Sequence, residues 1–377
     1  LDARNIPSEV SAAGMGAVPS IAEIGESIAG LKTGRSAGDD RVHPDPVKYM
    51  GPQFVLMVMM ILGLWWVTED YPAEYDRTPL WPIHKEGDET NPGNYRGISM
   101  LTVLFKIMEG VITARLMRFF ERAPVGVRFD RNQAGYRYGM GVEHNLYILT
   151  EILRMRKALG RATYVVYVDL RKAFPSVLLP FLWLRLNHSQ VPGKMIRVLM
   201  RMYENVQSYA QTGGGTAEEL AYTIKVGLRE GSKLSPVLFL IFIDPLMGRL
   251  RDGLPLLQLA GLWYGALLYA DDLALIAGTP EEMQQQLDIL GEWCSQNGQI
   301  PNLGKTHLVV FDLTQACRRA RGETVLWLAD GHGVRKRVPE KDGYRYVGGW
   351  VAWDQTWVAH GAVRARMAFV AAERTIQ

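Results

Sequence analysis

Two adjacent aspartates, Asp271 and Asp272, stand between two short apolar runs at 266–269 and 273–277. Runs of that length bounded by turn residues read as paired strands, which puts the aspartates at the turn of a hairpin. A two-residue hairpin turn favours Asn-Gly or Asp-Gly, because it needs positive φ. Two carboxylates without a glycine fold poorly there, and they repel unless cations neutralise them. A third carboxylate, Asp169, ends the run Thr163-Tyr-Val-Val-Tyr-Val-Asp169, whose β-branched and aromatic density reads as a strand. Alternation sends Tyr164, Val166 and Val168 toward a core and Asp169 to the other face with Val165 and Tyr167. Taken singly, an Asp at a strand end is usually solvated and an Asp-Asp turn is usually surface punctuation. Taken together, three carboxylates are best relieved by a pair of Mg²⁺ ions, hard cations that prefer oxygen ligands. Two such ions activate an attacking hydroxyl and stabilise a leaving oxygen in phosphoryl transfer.

The rest of the chain bounds the setting. Its 377 residues give a prior of two or three packed units at roughly 150 residues each. Hydrophobic residues at 48% against 21% charged exclude wholesale disorder. A net charge of +3 permits nucleic-acid binding without demanding it. Cys294 and Cys317 cannot build a disulfide scaffold or a four-cysteine zinc site, so a reducing nuclear or cytoplasmic compartment is expected. The longest apolar run, 54–67, is shorter than the ~20 residues that span a bilayer. It reads as a buried helix, and no membrane partner is expected. The chain starts at Leu1 without a basic-then-apolar leader, so a fragment without a signal peptide is expected.

Residues 1–50 are rich in Gly, Ala and Ser, with one amphipathic stripe of Ile21, Ile24, Ile28 and Leu31. Prolines 72, 79, 82 and 92 forbid a long helix and predict extended segments and turns. Helical stripes follow at Leu104–Leu116 and from about Glu143 to Leu159. A hairpin is expected between 207–211 and 222–226, with Gly213-Gly-Gly215 at its tip. Ser235-Pro236 reads as an N-cap with proline in the first turn. Thr279-Pro-Glu-Glu282 reads as a capping box for a helix that stops near Gly298. The fold class is α+β.

Around the aspartates, several blocks occur in a fixed order. Tyr269-Ala-Asp-Asp272 follows Val168-Asp-Leu-Arg-Lys-Ala-Phe174 by about a hundred residues. Upstream lie Ser36-Ala-Gly-Asp-Asp40, Pro82-Ile-His-Lys-Glu-Gly-Asp88, Asn94-Tyr-Arg-Gly-Ile-Ser99 and Gln133-Ala-Gly-Tyr-Arg137. Between and beyond lie Gly227-Leu-Arg-Glu-Gly231 with Leu234-Ser-Pro236, Asn302-Leu-Gly-Lys-Thr306 and Tyr346-Val-Gly-Gly349. This series resembles the reverse transcriptases, and more narrowly the non-long-terminal-repeat (LINE-type) retrotransposon branch, over roughly residues 30–350.

The resemblance implies a right-hand polymerase fold. An extension over 1–50 would carry the upstream segment, fingers and palm would occupy 51–350, and a truncated thumb would start over 351–377. It implies RNA-directed DNA polymerase activity on an RNA template and a DNA primer with dNTPs, using two Mg²⁺ ions, with Mn²⁺ as a substitute. Asp169, Asp271 and Asp272, with the Leu170 carbonyl, would hold the metals. Lys85 and Arg96 would meet the triphosphate, and Arg137 would contact nucleic acid or phosphate. Phe174 would lie beneath the sugar and exclude a ribose 2′-hydroxyl, beside Gly231 and Tyr269 in the substrate site. Lys305 would donate a proton to departing pyrophosphate, and Tyr346-Val-Gly-Gly349 would grip the primer end.

The chain also departs from the family pattern. Pro175 stands where many relatives have Asp, and Glu230-Gly-Ser-Lys233 replaces the common Q-G-D-P. Glu230 would repel a triphosphate unless a neighbour such as Arg229 or Lys233 pairs with it. No zinc-knuckle spacing, endonuclease block or ribonuclease H block is found. The basic stretches Arg318-Arg-Ala-Arg321 and Arg335-Lys-Arg337 read either as phosphate contacts or as a charged, solvated insertion. Two alternatives stay open: a catalytically silent remnant that at most binds RNA, and a two-metal nuclease. The nuclease leaves the fingers blocks unexplained.

Overall fold

The computed structural model describes residues 14–124, 127–212, 215–216, 220–253, 258–259, 262–312, 314–330 and 333–352. The expected thumb segment lies outside these residues except for Val351 and Ala352, as do Gly213 and Gly214 of the expected hairpin tip. The chain divides into two compact units. One is Leu1–Arg128 with Phe174–Phe242, and the other is Phe129–Ala173 with Ile243–Gln377.

The first unit opens with helices α1 (Ile21–Ala29), α2 (Pro44–Lys48) and α3 (Pro52–Thr68). Strands β1 (Arg77–His84) and β2 (Tyr95–Ser99) and helix α4 (Val103–Arg122) follow. The second unit then takes α5 (Val142–Ala158) and β3 (Thr163–Val168). The chain returns to the first unit for α6 (Leu179–His188), α7 (Gly193–Glu204), β4 (Gln207–Thr212), β5 (Gly215–Thr216) and β6 (Tyr222–Thr223). Helix α8 (Leu234–Ile243) closes that unit. The second unit resumes with α9 (Pro245–Gly253) and strands β7 (Gln258–Leu259), β8 (Leu262–Trp263), β9 (Ala266–Tyr269) and β10 (Asp272–Ala277). Next come α10 (Pro280–Asn297), β11 (His307–Phe311) and α11 (Gln315–Arg321). Two hairpins follow, β12 (Leu326–Ala329) with β13 (Arg335–Val338), and β14 (Gly343–Tyr346) with β15 (Gly349–Ala352). Helices and mainly antiparallel sheets mix along the chain, as an α+β reading expects.

In the first unit a sheet runs β2-β1-β4-β5, with β6 also paired to β4. Strand β1 is antiparallel to β2 but parallel to β4, so the proline-rich stretch is extended as expected. The 207–223 hairpin forms with an added short strand, β5, near its tip. Helix α8 starts at Leu234, one residue before the expected cap. Ser232 Oγ accepts from the backbone N–H groups of Leu234 and Ser235, while the Ser235 hydroxyl donates to the Arg229 carbonyl. The capping function therefore sits three residues earlier than the Ser-Pro pair indicated. Below it, the fully buried Glu109 accepts from Ser232 Oγ at 2.7 Å and from Lys233 N. Burial raises the Glu109 pKa, against the pull of those donors and of Arg229 and Lys233.

Helix α3 departs from expectation in one respect. Val58, Leu62, Trp65 and Trp66 are buried, but Leu56, Met57, Met60, Leu64 and Val67 form an exposed stripe on successive turns. A helix that is apolar all round carries no periodic signal to say which face goes inward.

The second unit is organised on a four-stranded antiparallel sheet in the order β11-β3-β10-β9. All six residues of β3 are buried, so both of its faces are covered. Val165 and Tyr167 join Ala274, Ile276 and Val309 in a core with Leu146, Leu149, Ile152 and Leu153 of α5. Helix α10 packs against β3 and β10. Thr279 caps it by accepting from Glu282 N, while the Glu282 carboxylate turns to Gly278 N rather than closing the box on Thr279.

The two faces of α3 should respond differently to substitution. Leu62→Ala, in the core, is expected to lower stability by about 2–5 kcal/mol. Leu64→Glu, on the open face, should stay within about 0.5 kcal/mol of the parent. Denaturant melts of the two variants check the assignment, and equal losses would refute it.

Candidate active site

The antiparallel register decides where the carboxylates meet. Leu273 pairs with Val168 and Ala274 with Tyr167, so the next position along the ladder sets Asp272 opposite Asp169. Opposed residues of antiparallel strands share a face, with Cβ atoms about 4.5–5.5 Å apart. The face is that of Tyr167 and Ala274, whose core lies directly behind the two acids. Tyr344 stacks on Tyr167 with ring centroids 4.6 Å apart. Burial first, and then the charges of Asp169 and Asp272, raise the Tyr344 pKa, so this phenol lies within the field of both carboxylates.

Asp272 is solvent-exposed but crowded by protein atoms. Lost hydration first, then repulsion from Asp271 and Asp169, push its pKa up to about 6. Asp271 and Ala270 form the two-residue turn between Tyr269 and Asp272, which pair across the ladder. Ala270 takes φ of 57°, the left-handed conformation that hairpin turns normally give to glycine.

The Asp169 side chain is oriented by a residue for which the sequence suggested no role. Asn302 Nδ2 donates to Asp169 Oδ2 at 2.8 Å, and Asn302 N donates to the Asp169 carbonyl at 2.7 Å. Leu170 bridges to Pro301, and Arg171 N donates to the Ile300 carbonyl, so the loop before Lys305 is laced to the end of β3. Lys305 is exposed, and its carbonyl accepts from Tyr344 Oη at 3.2 Å. The sequence signal for Asn302 was its place at the head of the Asn302–Thr306 block. Which acid an amide will meet is a matter of tertiary contact, and no local pattern encodes it.

Among the described residues no three metal-ligating side chains already close into a cage. Strand-opposed carboxylates, with the Asp272 pKa raised, instead make an open acidic site. A hard divalent cation suits such a site, because oxygen ligands from carboxylates can be completed by substrate phosphates.

The first unit holds the other expected residues. Lys85, exposed, follows β1, and its backbone N–H donates to the Asn94 carbonyl. Arg96 lies on β2 opposite Ile83 and is largely exposed. Glu230 forms an ion pair with Arg96 at 3.6 Å. Arg229 is buried, between the Phe105 and Tyr203 rings. Gly231 has φ of 96°, and a Cβ there would come within 2.8 Å of Ile98, so glycine is required. The partly buried Phe174 ring stacks on Phe239 at 4.6 Å, and its carbonyl accepts from Leu228 N.

Other sequence candidates are engaged within the protein. Arg137 Nη1 donates to the carbonyls of Asp130 and Gln133, and its guanidinium lies over Phe129. Arg318 pairs with Glu340 and Asp342, Arg321 with Asp312 and Glu340, Arg335 with Asp288 and Arg337 with Glu323. Ion pairing within the unit, which neither reading of these basic stretches named, engages those four arginines.

A cavity of about 860 Å³ in the first unit gathers positive charge that the motifs did not reveal. Lys32, Arg35, Arg41, Lys106 and Lys233 line it together with apolar Trp81, Ile83 and Ile98. Burial, with the charges of Lys32, Lys106 and Lys48 adding to it, lowers the Lys233 pKa.

The model of the family described as reverse transcriptase (RNA-dependent DNA polymerase) matches residues 83–351. The chain is 25% identical over 282 residues to the Pol polyprotein of the type-1 retrotransposable element R2 of Nasonia vitripennis, covering 74% of this chain and 26% of that protein. It is 26% identical over 356 residues to the putative 115 kDa protein of the Drosophila melanogaster element R1DM, covering 92% and 31%. The chain thus spans about a quarter to a third of these curated relatives. Among solved structures it is similar to apo telomerase from Candida tropicalis, at 10% identity with a TM-score of 0.49, covering 78% of this chain and 60% of that one.

The carboxylate cluster should register in the stability of the metal-free protein. An aspartate whose pKa rises from an ordinary value near 3.9 in the unfolded chain to about 6 here costs the fold most above pH 6. As pH falls through 6 toward 4 the folded state takes up the proton first, so that cost disappears. Asp272→Asn is therefore expected to raise the melting temperature at pH 7.5 in EDTA by on the order of 2–4 °C, the worth of about 1 kcal/mol at this size once solvent screening of an exposed carboxylate is discounted. The gain should shrink as pH falls below 6 and vanish below about 4, and a gain that does not vary with pH would contradict the carboxylate origin.

Proposed function

This chain belongs to the reverse transcriptase (RNA-dependent DNA polymerase) family, and we propose that it is the fingers and palm of a non-LTR retrotransposon RNA-directed DNA polymerase. It extends a DNA primer on an RNA template from dNTPs. The observation that carries this reading is the register that sets Asp272 across from Asp169, beside Asp271.

The family's chemistry depends on divalent cations, and the reading takes these as two Mg²⁺ ions. Asp169, Asp271 and Asp272, with the Leu170 carbonyl, are the residues that would hold them. Bound there, the ions supply neutralising charge to the attacking 3′-oxygen and to the departing oxygen. In the reaction the primer 3′-hydroxyl gives its proton to solvent, a bond forms from the 3′-oxygen to the α-phosphorus, the bond from that phosphorus to the oxygen bridging to the β-phosphate breaks, and pyrophosphate leaves.

The chain's own residues take the remaining tasks. Asn302 fixes the rotamer of Asp169 through its amide, so the carboxylate is oriented before substrate arrives. Lys85 and Arg96 meet the triphosphate, and Lys305 delivers a proton to the leaving pyrophosphate. Phe174, stacked on Phe239, is braced to lie beneath the sugar and reject a 2′-hydroxyl. The reading also assigns nucleotide contacts to Gly231 and to Tyr269. Arg137 acts from within its loop, and a direct phosphate contact is not part of the reading. The cationic cavity with its apolar lining supports the nucleic-acid side, since phosphates seek the cations and bases seek apolar surface.

Primer extension on an RNA template with Mg²⁺ and dNTPs tests the reading. The parent chain should extend the primer and Asp271→Ala should not, while primer–template binding survives. Extension by both, or by neither when a thumb is supplied, would overturn it. A second outcome concerns sugar choice. Phe174→Val should raise ribonucleotide incorporation on the order of 10-fold or more, the scale of discrimination that small steric changes deliver. Unchanged discrimination would remove the gating role.

A further inference from the structure

The loop Asn132–Gly135 has no regular secondary structure, yet it lies along the open edge of β9, the outermost strand of the sheet that carries the acids. Leu268 N donates to the Asn132 carbonyl at 2.8 Å, and Ala134 N donates to the Leu268 carbonyl at 2.9 Å. These two bonds make a single parallel bridge between Gln133 and Leu268. Beyond it, the loop reaches the turn itself. Gln133 Oε1 accepts from Ala270 N at 3.1 Å and from Gly135 N at 2.8 Å. Two backbone donors converging on one atom fix that atom as the amide oxygen.

Close packing reinforces the contact. A Cβ built on Gly135 would stand 2.4 Å from Ala270 N and 3.1 Å from its Cα, both backbone atoms that have nowhere to retreat. Only glycine at 135 lets the loop approach this closely, and the loop closes on the one residue of the turn held at positive φ. The loop is stiffened in turn. Arg137 Nη1 donates to the Gln133 and Asp130 carbonyls, and Asp130 accepts from Asn132 N and pairs with Arg251.

Gln133 is fully buried, and its Nε2 has no partner. An unpaired buried amide is a cost that stability alone would remove. Retaining it makes sense if the oxygen has a task that an apolar side chain lacks. We infer that Gln133, with Gly135 as its close-approach partner, is a positioning residue for Asp271 and Asp272. It holds the Ala270 peptide in its strained conformation and so sets where the two carboxylates project. The inference rests on the reading of these acids as the metal-binding set, and it assigns Gln133 no contact with substrate.

The test compares Gln133→Met with Gly135→Ala and the parent, all as the full chain. The first removes the acceptor while keeping volume, and the second keeps every polar group but displaces the turn. Both should lower kcat by about 10- to 100-fold, the cost of misplacing reacting groups by about an ångström, with KM for dNTP within about two-fold. Both should also weaken Mn²⁺ binding several-fold, read by electron paramagnetic resonance without primer, template or nucleotide. The melting temperature of Gln133→Met in EDTA should stay near that of the parent, and Gly135→Ala should melt lower but remain folded at the assay temperature. Weakened Mn²⁺ binding with an intact melt sustains the clamp even if the parent proves inactive, which separates this inference from the polymerase reading. Unchanged Mn²⁺ binding in both variants, or losses that follow the melting temperature alone, would reduce Gln133 to a core amide and overturn it.

Discussion

The structure of the second unit turns on a like-charge contact that the sheet forces. Asp271 and Asp169 both push the Asp272 pKa up, so these acids repel one another where the sheet holds them. Against this stand the strands that carry them. Val165, Val166, Val168, Leu273, Leu275 and Ile276 are all buried to within a few per cent, and each such side chain contributes about 1.5–3 kcal/mol. Register in a sheet buried on both faces cannot slip by one residue without inverting every side chain. The apolar strands therefore win, and the acids are held together whether or not anything neutralises them. The raised pKa of Asp272 is the visible residue of that contest.

The parts of the site that were legible in the sequence are those written in local pattern. A β-branched run ending in Asp169 and an apolar hairpin interrupted by Asp271 and Asp272 announce strands and a turn through composition alone. The Tyr346–Gly349 turn likewise emerges as a hairpin, joining β14 and β15. What was not legible depends on which distant side chains meet. Asn302 on Asp169 spans 133 residues, and Gln133 on Ala270 spans 137. Their blocks were visible, but nothing in an Asn or Gln says whether its amide will meet a solvent molecule, a backbone or an acid. The same limit explains Glu230. Its nearest cations in sequence were the natural candidates, and nothing local showed that β2 would bring Arg96 to it from far along the chain.

Charge shows a parallel division between count and placement. The basic stretches after residue 312 are conspicuous in the sequence. In the fold, four of their arginines are matched by acids of the same unit, which leaves their contribution largely local. The cations around the first unit's cavity are scattered over two hundred residues and form no run. Two of its lysines nevertheless pin one loop, Lys106 and Lys233 donating to the carbonyls of Ser36 and Gly30, and Lys48 adds a bond to Leu31. A near-neutral chain can thus carry a concentrated positive surface, because field strength follows proximity rather than net charge.

The choice of amides to hold the acids has its own logic. A lysine or arginine hydrogen-bonded to Asp169 would orient it at least as firmly, through a charge-assisted bond. It would also place a permanent positive charge where a divalent cation has to bind, and it would satisfy the carboxylate before the metal arrived. Asn302 and Gln133 deliver direction without charge, one through an N–H donated to a carboxylate and the other through a carbonyl oxygen turned to a peptide. The acids then keep the mutual repulsion that makes them a sink for cations. The unpaired amide nitrogen of Gln133 and the left-handed Ala270 are the residual costs of that arrangement, and both fall beside the acids rather than at random in the core.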